Sequence, residues 1–146
     1  MPAKYKLVLR KDMRKDAAEG SKLYYASANT TGTCDVYELC DLISAQSTAS
    51  SGDVKLILDE LGNVMRRNLG KGEVVKVGEL GSFQLQFGST GTVTEKEFNQ
   101  VLIKSRRIVF RPGKLLKEAV KNYTFEKIAS GAPDEGGGED DRPGEL

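Results

Sequence analysis

The side chains with the clearest chemical potential in this sequence are cations grouped around one turn. Arg106 and Arg107 precede the turn, and Arg111, Lys114 and Lys117 lie in it and after it. Guanidinium and ammonium groups bind phosphate oxygens through charge-assisted hydrogen bonds. The chemistry that these residues indicate is therefore the binding of a polyanion.

Catalytic side chains are poorly represented by comparison. The chain has no histidine, which excludes Ser-His-Asp and Cys-His catalysis and histidine-ligated zinc. Asp53 and Asp59 have the spacing of residues on a helix surface and do not form a convergent acid–base pair. Cys34 and Cys40 match neither a C-x-x-C redox motif nor a zinc pair, and we expect both to be small buried apolar residues. We predict no enzyme, no metal site and no cofactor.

Charge is unevenly distributed along the 146 residues. The formal net charge is +1, but residues 131–146 hold six acidic side chains against one arginine, a balance of −5 that leaves +6 on residues 1–130. A basic folded region suits a polyanionic partner, whereas the Gly-rich, acidic composition of 131–146 is typical of a disordered tail. No apolar run reaches the roughly 20 residues of a membrane span, and the N terminus lacks a secretory signal. We expect a cytoplasmic protein with no membrane and no small-molecule partner.

Two strands and then two helices are predicted for the first half of the chain. Residues 4–10 alternate apolar and polar side chains, and 23–26 is a second β-prone run. The polar residues 11–21 between them should form an exposed loop. Apolar residues at i, i+3, i+4 and i+7 predict a helix over 35–46, and a capping-box pattern at Ser50 starts a longer one. The apolar stripe of that second helix comprises Val54, Ile57, Leu58, Leu61, Met65 and Leu69.

The second half of the chain predicts a three-stranded sheet followed by a short helix. Strands at 75–77 and 82–87 bracket a glycine-containing bend at 78–81, and residues 101–110 form a third strand that Pro112 stops. In the connection, Thr94 three residues before Glu97 favours a short capped helix, with Phe98 in the core. A short helix over 115–120 and a closing strand at 125–128 complete the fold.

A family resemblance rests mainly on residues 110–121, Phe-Arg-Pro-Gly-Lys-Leu-Leu-Lys-Glu-Ala-Val-Lys. This run resembles the C-terminal signature of the HU/integration-host-factor family, and Gly81-Ser82-Phe83 resembles the start of a strand in that family. The resemblance covers about 33–121, and residues 1–32 are similar to the N-terminal strands of an extended histone-like subgroup. It implies an α+β fold with a two-helix base, a three-stranded antiparallel sheet with a shortened arm, a short C-terminal helix and an intertwined homodimer.

The resemblance also implies a function, which is binding of double-stranded DNA through a basic saddle with little sequence specificity, as in chromosome packaging at the nucleoid. By position, Arg111, Lys114 and Lys117 correspond to the phosphate-contacting cations of the family, and Arg106 corresponds to a saddle residue. Pro112 and Gly113 of the same turn are further DNA-binding candidates. Charge and position in the predicted sheet add three more candidates, which are Lys76, Lys104 and Arg107.

The sequence departs from the family in the arm. No proline lies between Phe87 and Leu102, and residues 88–101 carry Glu95 and Glu97 against only Lys96. Because the arms of the family kink DNA with a proline wedge, we expect saddle binding without sharp bending. Phe98 is an alternative wedge, although we expect it in the core.

Three alternatives stay open. The chain could be a protein-interaction scaffold that kept the dimer core, Glu79 or Glu97 could pair with one of the adjacent arginines instead of phosphate, and the acidic tail could either solubilise the protein or compete with DNA.

Overall fold

The computed structural model describes residues 1–129, and these form two compact units. The N-terminal unit contains residues 1–34 and 121–129, and the central unit contains residues 35–120. The predicted tail over 131–146 lies outside the described residues. The elements are β1 (Ala3–Lys11), β2 (Lys22–Asn29), α1 (Val36–Ala45), α2 (Ser51–Gly70), β3 (Val75–Val77), β4 (Gly81–Ser89), β5 (Ile103–Pro112), α3 (Lys114–Lys121) and β6 (Phe125–Lys127). The predicted α+β class is confirmed.

The N-terminal unit is a three-stranded sheet in the order β2-β1-β6. β1 and β2 form an antiparallel hairpin from the pair Lys4–Asn29 to the pair Lys11–Lys22. β6 lies parallel to the start of β1, with Ala3 opposite Phe125. The predicted strand pair and the predicted closing strand therefore belong to one sheet.

The loop that joins β1 to β2 is ordered by a buried carboxylate. Asp12 is only 5% exposed, although the sequence predicts an exposed loop here. Its carboxylate accepts hydrogen bonds from the Arg14 backbone N–H at 3.0 Å and from Arg14 Nη2 at 2.7 Å, and its own backbone N–H donates to the Ser21 carbonyl at 2.9 Å. The Arg14 guanidinium lowers the pKa of Asp12. Burial of the carboxylate is tolerated because these donors replace water.

The first two helices of the central unit, α1 and α2, begin at side-chain caps. Asp35 Oδ1 accepts from the Glu38 backbone N–H at 2.9 Å at the start of α1. At the start of α2, Ser50 and Asp53 form both bonds of the predicted capping box, at 3.1 and 3.3 Å. Each cap satisfies N–H groups that have no partner within the helix.

Among residues 1–129, none of the helices combines the length and the apolar character of a membrane span.

The two cysteines lie in different environments. Cys40 of α1 is 1% exposed, as predicted, but Cys34 is exposed. The prediction for Cys34 was wrong because this residue precedes the helix cap at Asp35 and so does not share the buried face of α1.

The central sheet, in the order β3-β4-β5, places its aromatic face toward α2. Phe83 and Phe110 are opposite each other in the ladder, with ring centroids 4.9 Å apart. Leu85 and Ile108 line an apolar groove of about 450 Å³ together with residues of α2, including Met65. Side chains opposite each other in a ladder share a face, so the other face of this sheet points away from α2.

The connection between β4 and β5 differs from the sequence prediction. In place of a capped helix, residues 90–102 contain two short 3₁₀ turns, at Glu95–Glu97 and Gln100–Leu102, and Thr94 forms no side-chain cap. Phe98, which was expected in the core, is 42% exposed. The third strand accordingly begins at Ile103 and not at residue 101.

Candidate nucleic-acid interface

The candidate interface begins with a row of side chains that crosses all three strands of the central sheet. Lys76 of β3 is opposite Ser82 of β4, and Ser82 is opposite Arg111 of β5. Directly opposed residues of antiparallel strands project from the same face with Cβ atoms about 5 Å apart. Two cations therefore flank a hydroxyl on the face that points away from α2.

Two more cations join this face farther along β4 and β5. Gln86 is opposite Arg107, and Arg107 Nη2 donates to Gln86 Oε1 at 3.5 Å. The next pair is Gly88 with Lys104. Because Gly88 follows Gln86 by two residues on β4, Lys104 and Arg107 lie on the same face. We call Lys76, Lys104, Arg107 and Arg111 the basic face.

A β-bulge makes this arrangement possible. Lys104 and Arg107 are three residues apart, so a regular strand would place them on opposite faces. Between their two pairs, β4 contributes Phe87 alone, whereas β5 contributes both Ser105 and Arg106. Ser105 has φ of +55°, the left-handed value that an extra residue in a bulge can adopt. Because of this extra residue, the Lys104 side chain projects from the same face of the sheet as the Arg107 side chain.

The remaining predicted site residues lie next to the basic face. Arg106 is within the bulge, opposite Phe87, and does not belong to the row of paired positions. Pro112 ends β5 opposite Gly81, and Gly113 leads into α3. Lys114 and Lys117 are three residues apart on α3, which places them on one side of that helix. Both are exposed.

The cations of the basic face lack acidic partners within the described chain. No salt bridge among residues 1–129 involves any of the four. The predicted alternative partner of the adjacent arginines, Glu79 or Glu97, is not used by Arg107, which instead contacts Gln86. Ser82, Gln84 and Gln86 alternate along β4 on the same face. The face thus combines uncompensated positive charge with neutral hydrogen-bonding groups, a combination suited to phosphate oxygens.

Sequence reasoning found the cations but missed the neutral residues and the bulge. The alternation of Ser82, Gln84 and Gln86 with Phe83 and Leu85 already placed these polar groups on the open face of a strand, which is the signal that identifies them. Nothing in the residue types around Ser105 indicates a bulge, so the common face of Lys104 and Arg107 appears only in the ladder.

The turn before α3 is built on two close backbone approaches at glycines. The Gly113 N–H donates to the Leu80 carbonyl at 2.9 Å, and a Cβ at Gly113 would lie 2.2 Å from the Glu79 carbonyl oxygen. Gly81 has φ of +150°, and a Cβ there would lie 2.4 Å from the Arg111 carbonyl oxygen. The bend at 78–81 and the Arg111–Lys114 turn therefore lock together through backbone contacts that only glycine permits.

Replacing Gly113 by alanine should destabilise the central unit. The new methyl group would overlap backbone, which cannot move as a flexible side chain can, so we expect a loss of about 1–3 kcal/mol of unfolding free energy in urea titrations. Gly91→Ala is the matched control, because nothing lies within 4 Å of a Cβ at that exposed position. Equal stability of the two variants would contradict the close approach.

Among residues 1–129, no group of three His, Cys, Asp or Glu side chains is placed to hold a metal ion.

Comparison with known proteins shows the family. A model described as an HU domain fused to a wHTH, Ig or glycine-rich motif, abbreviated HU-HIG, matches residues 1–127, which includes both units. The chain belongs to the HU-HIG family. The HU resemblance that rests on the Arg111–Lys114 turn is thereby confirmed.

This HU-HIG protein is also similar to individual proteins of known sequence or structure. The protein "DNA-binding protein HU" of Thermotoga maritima is 36% identical over 86 residues, which are 58% of this chain and 96% of the relative. A crystal structure of a candidate bacterial DNA-binding protein from Bacteroides vulgatus has a TM-score of 0.60 at 21% identity, over 86% of this chain and 48% of that one. The HU-HIG chain thus corresponds to about half the length of that protein. A valine-to-isoleucine mutant of Thermotoga maritima HU has a TM-score of 0.41 at 31% identity, over 57% of this chain and 93% of that one.

Proposed function

We propose that this HU-HIG chain binds double-stranded DNA through its phosphates, with little dependence on base sequence, and contributes to chromosome packaging in the nucleoid. The observation that carries the proposal is the basic face, on which the ladder aligns Lys76, Lys104, Arg107 and Arg111. Contacts to phosphates position a protein on a duplex without reading its sequence. A sheet face of cations, hydroxyls and amides favours this kind of binding.

The start of α3 supports phosphate binding beside the basic face. Lys114 is the first residue of α3, and no acidic residue lies in its first turn. A positive side chain at this end opposes the helix dipole, whereas a bound anion is favoured by the dipole and by the free N–H groups there. Lys114 is thus better suited to ligand binding than to helix stability.

We further propose that the protein acts as a homodimer. Within residues 1–129, the buried hydrophobic side chains are only Cys40, Val54 and Leu69. Ile57, which the sequence assigns to the buried stripe of α2, is 62% exposed, and Leu56 is 61% exposed. Exposed apolar surface of this extent is typical of an association surface. A second copy brings the same apolar helix surface, which is the condition for a two-fold interface.

The connection between β4 and β5 favours binding without a sharp kink. Residues 90–102 contain no proline, and Glu95, Lys96 and Glu97 are all exposed in a 3₁₀ turn. Intercalating wedges are apolar side chains at the tip of an arm, and acidic side chains repel phosphate. In this proposal, the affinity for DNA comes from the basic face and not from the connection between β4 and β5.

A titration against duplex DNA tests the proposed function. The full chain is titrated into a labelled duplex of random sequence at several salt concentrations, and a second random sequence serves as the specificity control. We expect log K to fall linearly with log salt at about −0.9 for each neutralised phosphate, with similar affinity for both sequences. Failure to bind at low salt would refute the proposal.

The acidic connection gives specific support to one alternative function. The exposed Glu95 and Glu97 favour a dimer that has kept the HU core but lost DNA binding and serves as a protein-interaction scaffold. That function predicts a stable dimer whose size and stability are indifferent to DNA, so the same titration separates the two proposals.

A further inference from the structure

Most of the net positive charge of the described residues belongs to the N-terminal unit. Residues 1–34 and 121–129 carry nine lysines and arginines against four acidic residues, a net charge of +5. Residues 35–120, which contain the basic face, carry twelve against eleven, a net charge of +1. Because of its larger excess of cations, the N-terminal unit should attract polyanions more strongly than the central unit does.

Part of this excess is concentrated where β1 and β2 meet the loop between them. Lys11 and Lys22 are directly opposite each other in the hairpin, and both are exposed. Like charges at opposed positions destabilise a ladder, and no salt bridge among residues 1–129 involves either lysine. An anion between the two ammonium groups would turn this repulsion into attraction.

The loop between the two lysines contains Asp12, Asp16 and Glu19, and no salt bridge among residues 1–129 joins any of them to Lys11 or Lys22. Asp12 is held by Arg14, and Glu126 forms an ion pair with Lys4. The Asp12 carboxylate also accepts from Ser21 Oγ at 3.4 Å, which ties the loop directly to the ends of β1 and β2. The two lysines therefore lie at the ends of an ordered loop in which no carboxylate forms an ion pair with either of them.

The same face of the hairpin adds apolar and aromatic surface. Leu9 is opposite Tyr24, one alternation before the Lys11–Lys22 pair, so all four side chains share a face. Tyr24 is 70% exposed and Leu9 is 50% exposed. Lysines beside an exposed aromatic ring are the combination that binds a nucleic-acid backbone together with its sugars or bases.

We propose that Lys11, Lys22 and Tyr24 form a second DNA-binding site, separate from the basic face, at which the two lysines bind a phosphate of the DNA backbone. This inference rests on the proposed function, because DNA is the ligand at both sites. None of the three residues belongs to the central unit. The N-terminal sheet thereby supplies charge that the central unit lacks.

Two variants of the full chain test this site. Lys11→Gln with Lys22→Gln removes both charges, and we expect weaker DNA binding and a slope of log K against log salt that is shallower by about 0.9 for each phosphate that is no longer neutralised. Lys22→Glu places opposite charges across the ladder, so the thermal midpoint should be equal to or above that of the wild type while DNA affinity falls. This second variant separates binding from folding.

Each variant is measured on a duplex and on one of its single strands, with Lys55→Gln as control. Lys55 lies on α2 and is paired with Asp59, so removing its charge should leave the salt slope unchanged. Weaker binding of either DNA form by both hairpin variants supports the site, and the form affected identifies the natural ligand. If the hairpin variants bind both DNA forms with the affinity and salt slope of the wild type, the proposed site is overturned. An acidic protein would then be the partner that suits this surface.

Comparison with Arg111→Ala/Lys114→Ala separates this inference from the proposed function. If that variant keeps its affinity while the hairpin variants lose theirs, the basic face is refuted and the second site stands. If only the Arg111→Ala/Lys114→Ala variant loses affinity, the second site is refuted and the basic face stands. A wild-type chain that binds neither DNA form refutes both.

Discussion

Replacing Arg111 and Lys114 together by alanine should weaken duplex binding by roughly tenfold or more at moderate salt and make the salt dependence shallower by about 0.9 for each phosphate that the variant leaves unneutralised. Arg111 anchors the basic face opposite Ser82, and Lys114 begins α3 three residues later. Both side chains are exposed, so their truncation opens no cavity in the core. The measurement is the duplex titration, repeated at each salt concentration.

Two controls separate charge from geometry in this experiment. Lys55→Ala removes a cation of α2 that is paired with Asp59, and it should leave DNA affinity nearly unchanged. Arg111→Lys keeps the charge but replaces the planar guanidinium by a point charge. We expect it to preserve the salt slope while losing part of the affinity. If the double variant binds DNA with unchanged affinity, the basic face and the turn that follows it are not part of the DNA-binding surface.

The elements of the fold were predictable because their signals are local. The capping box of Ser50 and Asp53, the alternation on β4 and the proline that ends β5 each depend on a few neighbouring residues. Asp12 and Cys34 were misplaced for a different reason. The burial of Asp12 depends on Arg14 and Ser21 folding back around it, and the exposure of Cys34 depends on where α1 begins.

The candidate site was predictable in composition but not in geometry. Charge and position in the predicted sheet selected Lys76, Lys104 and Arg107, and the family resemblance selected Arg111. Period-two alternation, however, would have divided Lys104 from Arg107. A single left-handed residue, Ser105, decides that they share a face. Likewise, net charge over residues 1–130 hid the excess in the N-terminal sheet, because only the division into units reveals which cations belong together.

Ile57→Glu should abolish the proposed homodimer. Ile57 fits the apolar period of α2, but one copy of the chain leaves it 62% exposed, which is the expected result if a second copy covers it. An unpaired carboxylate in an apolar interface costs several kcal/mol, so the dimer dissociation constant should rise by roughly two orders of magnitude or more. Sedimentation equilibrium checks this, with the wild type expected at twice the 15.9 kDa of one chain.

Val93→Glu is the control for this substitution. Val93 is 96% exposed in the connection between β4 and β5, so the same chemical change there should leave the mass at that of a dimer. Because so few hydrophobic side chains are buried within one copy of residues 1–129, dissociation of the Ile57→Glu variant should also lower its unfolding midpoint and make the wild-type midpoint depend on protein concentration. A monomeric wild type with a concentration-independent midpoint would mean that the exposed face of α2 is not a contact between copies.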